Sequence, residues 1–64
     1  MNIKTIIEKY EGNILNDEEY EELCFEQCVE RIKWNGRSGM HPGLHWHTIY
    51  FIDGQEIDVY TELF

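Results

Sequence analysis

Three histidines and two cysteines are the side chains of this sequence whose types and spacing could bind a transition metal. His41, His45 and His47 fall within seven residues, and Cys24 and Cys28 are four residues apart. Imidazole and thiolate are preferred ligands of zinc. The spacing matches no zinc-finger pattern, however, and we expect no bound metal and no other cofactor. A small metal-binding or regulatory protein that uses His41, His45 and His47 is the alternative interpretation.

Catalysis by the same side chains would need either a cysteine beside a histidine or an acid–base pair such as His47 with Asp58. A chain of 64 residues has little room for a concave pocket that excludes water. The sequence also has no glycine-rich phosphate loop and no nucleotide-binding fingerprint. We therefore expect neither an enzyme nor a catalytic residue, and we expect Cys24 and Cys28 to be free thiols in a reducing compartment.

Acidic side chains dominate the composition, because 13 Asp and Glu stand against 5 Lys and Arg, for a net charge of -8. Between Glu11 and Glu30 there are eight acids and no Lys or Arg. Such an excess disfavours nucleic acids and anionic membranes as direct partners, and it favours the basic surface of a host protein. The chain has one basic and aromatic cluster, formed by Arg31, Lys33, Arg37 and Trp34. The number of acids around it argues against direct binding of nucleic acid.

Four of the acids recur every three or four residues, which places them in one sector of a helix. They are Glu19, Glu22, Glu26 and Glu30. Their carboxylates would follow one another at about 4.5–6 Å along the axis, a spacing that suits a cationic groove built for a nucleic-acid backbone. We expect this row, together with Asp17 and Glu18, to bind the partner protein. A solvated helix face that only keeps the protein in solution is the alternative.

The stretch from Asp17 to Glu22 reads Asp-Glu-Glu-Tyr-Glu-Glu. In its small size, acidity and low cysteine content, the chain resembles the phage-encoded proteins that inhibit bacterial defence systems, including DNA-mimicking anti-restriction and anti-CRISPR inhibitors. The resemblance covers size and charge pattern and no alignable motif, so it carries over no functional residues. It implies a non-enzymatic inhibitor of a nucleic-acid-acting defence protein in the host cytoplasm. A structural accessory subunit is a further alternative.

Two amphipathic segments are predicted to be helices. Near the N-terminus, apolar residues recur at i, i+3, i+4 and i+7, which predicts a helix over about 2–11. Asn16 and Glu19 form a capping box, which predicts a second helix over about 17–33. The apolar side chains of the second helix spread over so wide an arc that we expect it to be buried on two sides.

The C-terminal segment is predicted to be an antiparallel β-hairpin over about 45–63, after a glycine-rich loop over 34–44. The pair Asp53-Gly54 suits a two-residue type I′ turn. Counting outward from that turn gives one nearly all-apolar face, which should contact the helices. That face consists of Trp46, Tyr50, Ile52, Ile57, Val59 and Leu63.

The order helix, helix, strand, strand predicts a single α+β domain over 1–64, with two N-terminal helices packed on the C-terminal antiparallel β-hairpin (ααββ). Ile49 and Phe51 would then be exposed on the mixed face of the hairpin. We expect a homodimer that covers them together with Phe25 and Val29. The sequence has no apolar run of about 18 residues and no charged-then-apolar leader. We therefore expect no membrane span, no secretory signal and a cytoplasmic location.

Overall fold

A computed structural model of the chain describes residues 2–62. These residues form two short helices and a four-stranded mixed sheet. The elements are α1 (Ile3–Tyr10), β1 (Ile14–Leu15), α2 (Asp17–Cys24), β2 (Val29–Arg37), β3 (Leu44–Phe51) and β4 (Glu56–Glu62). The domain is α+β, but the predicted packing of two helices on an isolated antiparallel hairpin is wrong.

The sheet has the order β1-β4-β3-β2. β1 runs parallel to β4, while β4, β3 and β2 are antiparallel neighbours. The sheet thus extends the C-terminal hairpin on both sides, with strands that come from earlier in the chain. Neither helix within residues 2–62 combines the length and the apolarity that a membrane crossing requires.

Both helices begin at an asparagine cap. The Asn2 side chain accepts a hydrogen bond from the Thr5 N–H (2.8 Å), and α1 then places Ile6 and Tyr10 in the core. At α2 the predicted capping box is present, because the Asn16 side chain accepts from the Glu19 N–H (2.8 Å) and the Glu19 carboxylate accepts from the Asn16 N–H (3.1 Å). The caps satisfy N–H groups that have no partner within a helix.

The second helix is much shorter than the predicted segment 17–33, because it ends at Cys24 and the chain becomes strand from Val29 to Arg37. Val29 and Ile32 are partly buried against the core. β-Branched residues favour a pleated surface, and pairing with β3 satisfies the backbone of β2. The wide apolar arc of the helical wheel therefore reflects a change from helix to strand, not a helix buried on two sides.

The register between β3 and β4 is shifted by one residue from the prediction. Counting outward from a two-residue turn at Asp53-Gly54 pairs Ile49 with Asp58, whereas in the structure Ile49 pairs with Ile57. The turn is longer than two residues, because Phe51 donates its N–H to the Gln55 carbonyl oxygen across it (2.9 Å). A shift of one residue exchanges which side chains of the two strands share a face.

This shift decides which residues form the core. Ile49 and Phe51 are 0% exposed, so the expectation that a single chain would expose them is wrong. Ile52, predicted on the apolar inner face, lies in the turn and is 66% exposed. Leu63, which completed that predicted face, lies outside the described residues. The buried core consists of Ile6, Tyr10, Leu15, Leu23, Ile49, Phe51, Ile57 and Val59.

The opposite face of the sheet carries a polar ladder across three strands. Asn35 on β2 donates from Nδ2 to the Thr48 hydroxyl on β3 (2.7 Å), and that hydroxyl donates to the Asp58 carboxylate on β4 (3.0 Å). Thr48 is buried although it points away from the apolar core. At the centre of this face the polar side chains are thus hydrogen-bonded to one another, and no layer of apolar side chains from the described residues covers them.

Candidate protein-interaction site

The predicted acidic row does not lie on one helix. Glu19 and Glu22 are on α2, Glu26 is in the turn that follows it, and Glu30 is on β2. A row of four carboxylates at helical spacing is therefore wrong as a description of this surface. The strand begins at Val29, before the last of the four acids.

The acids at the start of α2 have a local structural use. Asp17, Glu18 and Glu19 occupy its first turn, and no basic residue lies in its last turn. Negative side chains near a helix N-terminus interact favourably with the helix dipole and its free N–H groups. Part of the negative charge thus stabilises the start of the helix.

An open groove of about 920 Å³ lies beside α2. Four carboxylates line it, namely those of Glu18, Glu21, Glu22 and Glu26. Phe25 and Ile52 also line the groove, and they are 84% and 66% exposed. None of the described residues that line it is Lys or Arg. The groove therefore combines exposed apolar side chains with a concentration of carboxylates.

Two turns position the apolar side chains of the groove. Phe25 caps α2, where its N–H donates to the Glu22 carbonyl oxygen (3.2 Å). Ile52 lies in the β3–β4 turn, and its N–H donates to the Cys28 carbonyl oxygen (3.0 Å). This second hydrogen bond ties the β3–β4 turn to the segment that follows α2, so that the two exposed side chains are held on one surface.

Cys24, the last residue of α2, is poorly suited to nucleophilic catalysis. Partial desolvation raises the pKa of the Cys24 thiol, and the nearby charge of Glu21 raises it further. A raised pKa keeps the thiol protonated near neutral pH, and the protonated form is a weak nucleophile. Cys24 is exposed and Cys28 is half-buried, and neither forms a disulfide bond.

The structure gives each histidine a different neighbour. The His41 ring meets the Tyr60 ring edge-on, with 4.6 Å between their centroids. His45 accepts a hydrogen bond at Nδ1 from Trp34 Nε1 (3.0 Å). Within residues 2–62 no three His, Cys, Asp or Glu side chains are arranged to hold a metal ion.

His47 is a core histidine. It is buried, its Nε2 lies 2.9 Å from the Thr61 hydroxyl, and its ring centroid is 4.9 Å from that of Tyr20 on α2. Its Nδ1 is buried without a hydrogen-bond partner among the described residues. Burial lowers the pKa of His47, and the neighbouring His45 lowers it further. The imidazole is therefore neutral at physiological pH and joins α2 to the sheet.

Two residues that line the groove were not in the predicted partner-binding set. Glu21 lies within the acidic stretch, although helical spacing placed it outside the row. Ile52 was predicted to be buried, and no local pattern indicated that it would lie in an exposed turn. Phe25 was predicted at an interface, and the structure leaves it exposed; Val29, predicted with it, is half-buried against the core.

Comparison with known proteins gives no family for this chain. No family model matches the sequence, and neither a curated protein nor a solved structure matches it. The functional interpretation therefore depends on the groove and its charges.

Proposed function

We propose that this chain is a non-enzymatic protein-interaction module that binds a basic segment of a partner protein in the groove beside α2. The observation that carries the proposal is the exposure of Phe25 and Ile52 in a groove that four carboxylates also line. Large apolar side chains at the centre of a site, with charges around them, are typical of protein interfaces. The partner segment should therefore present an apolar side chain between Lys or Arg residues.

The charges of the groove favour association with a cationic partner. Glu18, Glu21 and Glu22 are close in sequence on one short helix, and none of the described residues that line the groove is Lys or Arg. Their combined field would steer a basic surface into the groove. Exposed Phe25 and Ile52 would then lose water on contact and supply the apolar part of the binding free energy.

Within this class we propose an inhibitor of a bacterial nucleic-acid-acting defence protein. The support is the resemblance in size and charge to phage-encoded inhibitors, together with a groove whose carboxylates would occupy a cationic nucleic-acid site. The carboxylates around the groove take the role first given to the helical row. The homodimer stays a prediction, and Ile49 and Phe51 no longer support it because both are buried.

The test uses a fluorescein-labelled peptide of repeated Lys-Lys-Leu units. Its binding is measured by fluorescence anisotropy at low and physiological salt. Changing Glu18, Glu21 and Glu22 to Gln should weaken binding about tenfold at low salt, at roughly half a kcal/mol for each exposed charge. The matched control changes three exposed acids outside the groove, Glu8, Glu11 and Glu56, to Gln, with the same change in net charge.

The control variant distinguishes binding at the groove from an effect of the protein's net charge. Equal loss of binding in both triple variants would mean that only net charge matters, and the groove would not be the site. Changing Phe25 and Ile52 to Ser should weaken binding at both salt concentrations, because the apolar contribution is not screened by ions. Unchanged binding in that variant would overturn the proposal. For the narrower inhibitor role, the groove variant should fail to inhibit a purified restriction or CRISPR nuclease that the wild type inhibits, and full inhibition by the groove variant would contradict that role.

A further inference from the structure

We infer that the outer edge of β2 is a second binding surface, which takes up an extended acidic segment of another protein as an additional strand. β2 is the last strand in the order β1-β4-β3-β2 and is nine residues long. No strand of residues 2–62 pairs with its outer side. A long free edge presents a row of backbone donors and acceptors to which another strand can pair.

Hydrogen bonds in the sheet establish which backbone groups of β3 face β2. Phe51 donates its N–H to Gln55 across the turn, so the backbone of Phe51 faces β4. The N–H and C=O groups of successive residues in a strand point to opposite sides. Thr48 and Tyr50 therefore direct their backbone groups toward β2.

The same alternation gives the direction of the backbone N–H and C=O groups in β2. Lys33 and Arg31 pair with Thr48 and Tyr50, so their backbone groups face β3. Ile32 and Trp34 alternate with them and direct their N–H and C=O groups outward. The free edge thus offers the backbone of Ile32 and Trp34 at its centre.

The side chains of β2 indicate what the added strand should look like. Arg31, Lys33 and Arg37 are three of the five Lys and Arg in the chain. Arg31 lies with its guanidinium carbon 4.3 Å from the centroid of the Tyr50 ring, on the sheet face that the helices leave uncovered. Ile32 and Trp34 alternate onto the helix side, where Trp34 is 61% exposed. An extended segment that alternates acidic and apolar residues matches both faces of this strand.

Other occupants fit the edge less well. In a symmetric antiparallel pairing of two copies about the middle of β2, Arg31 and Lys33 of one copy would lie close to the same cations of the other. A nucleic-acid strand offers phosphate acceptors to the outward N–H groups but no donors to the alternating C=O groups. A peptide backbone supplies both.

The probe is a fluorescein-labelled nine-residue peptide of alternating Glu and Val, and the matched probe has Lys in place of Glu. The Glu peptide should bind the wild type at the edge of β2. The Lys peptide can bind the acidic groove, but it should leave the exchange of the Ile32 and Trp34 amides unchanged, because its charges repel those of β2. The double variant R31E/K33E should lose about tenfold in affinity for the Glu peptide. The control K4E/K9E on α1 has the same change in net charge and should retain affinity within about twofold.

Amide hydrogen exchange followed by NMR distinguishes strand addition from simple charge attraction. In the free protein the Ile32 and Trp34 amides should exchange much faster than those of Arg31 and Lys33, and the Glu peptide should slow them by about tenfold or more. Between two variants that both lack the indole, W34P should lose affinity and W34V should retain most of it, because only proline removes the outward N–H. HSQC spectra would check that both variants are folded.

Several outcomes would overturn this inference. They are failure of the Glu peptide to bind, binding that leaves the Ile32 and Trp34 amides unprotected, and equal or tighter binding of a nine-nucleotide oligothymidylate. Protection of the same amides without peptide, together with a dimer mass in light scattering, would show that a second copy occupies the edge instead.

Discussion

Replacing Phe51 with leucine should destabilise the protein, whereas the same substitution at Phe25 should not. The two residues are matched in type and opposite in environment, because Phe51 is 0% exposed in the core and Phe25 is 84% exposed beside α2. The comparison tests the β3–β4 register directly. With a two-residue turn at Asp53-Gly54, Phe51 would lie on the outer face, and its replacement would cost little.

The size of the effect follows from burial. A stability of roughly 0.05–0.15 kcal/mol per residue gives about 3–10 kcal/mol for 64 residues. Phe51→Ala would cost about 3–5 kcal/mol and could unfold the chain, so leucine is the better probe. Phe51→Leu should cost about 1–1.5 kcal/mol. With an m-value near 1 kcal/mol/M in urea, the low end for small proteins, the midpoint should fall by about 1 M.

Urea unfolding followed by far-UV circular dichroism measures both variants against the wild type. Phe25→Leu should shift the midpoint by less than about 0.5 M, because surface substitutions usually stay within about 0.5 kcal/mol. Equal shifts in the two variants, or a larger one for Phe25→Leu, would refute the register and the core derived from it.

Three further predictions concern pH, capping and the polar ladder. Because the pKa of His47 is lowered below its ordinary value of 6.5, the unfolded chain binds more protons than the folded one, so stability should fall as the pH drops through about 6.5. Urea midpoints between pH 7.5 and 5 should show a smaller fall in His47→Phe, and an identical fall would refute the assignment. Asn16→Ala should cost about 1 kcal/mol and Asn16→Gly only a few tenths, measured by thermal melts, since glycine is a tolerated cap; equal costs would mean that the capping box does not matter. Thr48→Val should cost about 1–2 kcal/mol because it leaves Asn35 and Asp58 without their shared partner, and a neutral result in urea unfolding would contradict the ladder.

Local signals in the sequence were sufficient for several elements. The apolar spacing near the N-terminus lies where α1 forms, and the Asn16 to Glu19 capping box marks the start of α2. These signals suffice because helix caps and amphipathic spacing act over three or four residues. The C-terminal strand pair could also be recognised from its β-branched and aromatic residues. The negative charge follows from composition alone, so the expectation of a basic partner required no structure.

Tertiary pairing decided the rest. Whether 29–37 is helix or strand depends on the backbone partners that β3 offers, since the same apolar residues fit a wide helical arc or an edge strand. The β3–β4 register depends on the length of one turn, and a change of one residue moves Ile49 and Phe51 from an exposed face into the core. The groove and the free edge follow from these two choices. The strand at 29–37 and the β3–β4 register both depend on contacts between residues distant in sequence, and local periodicity carries no information about such contacts.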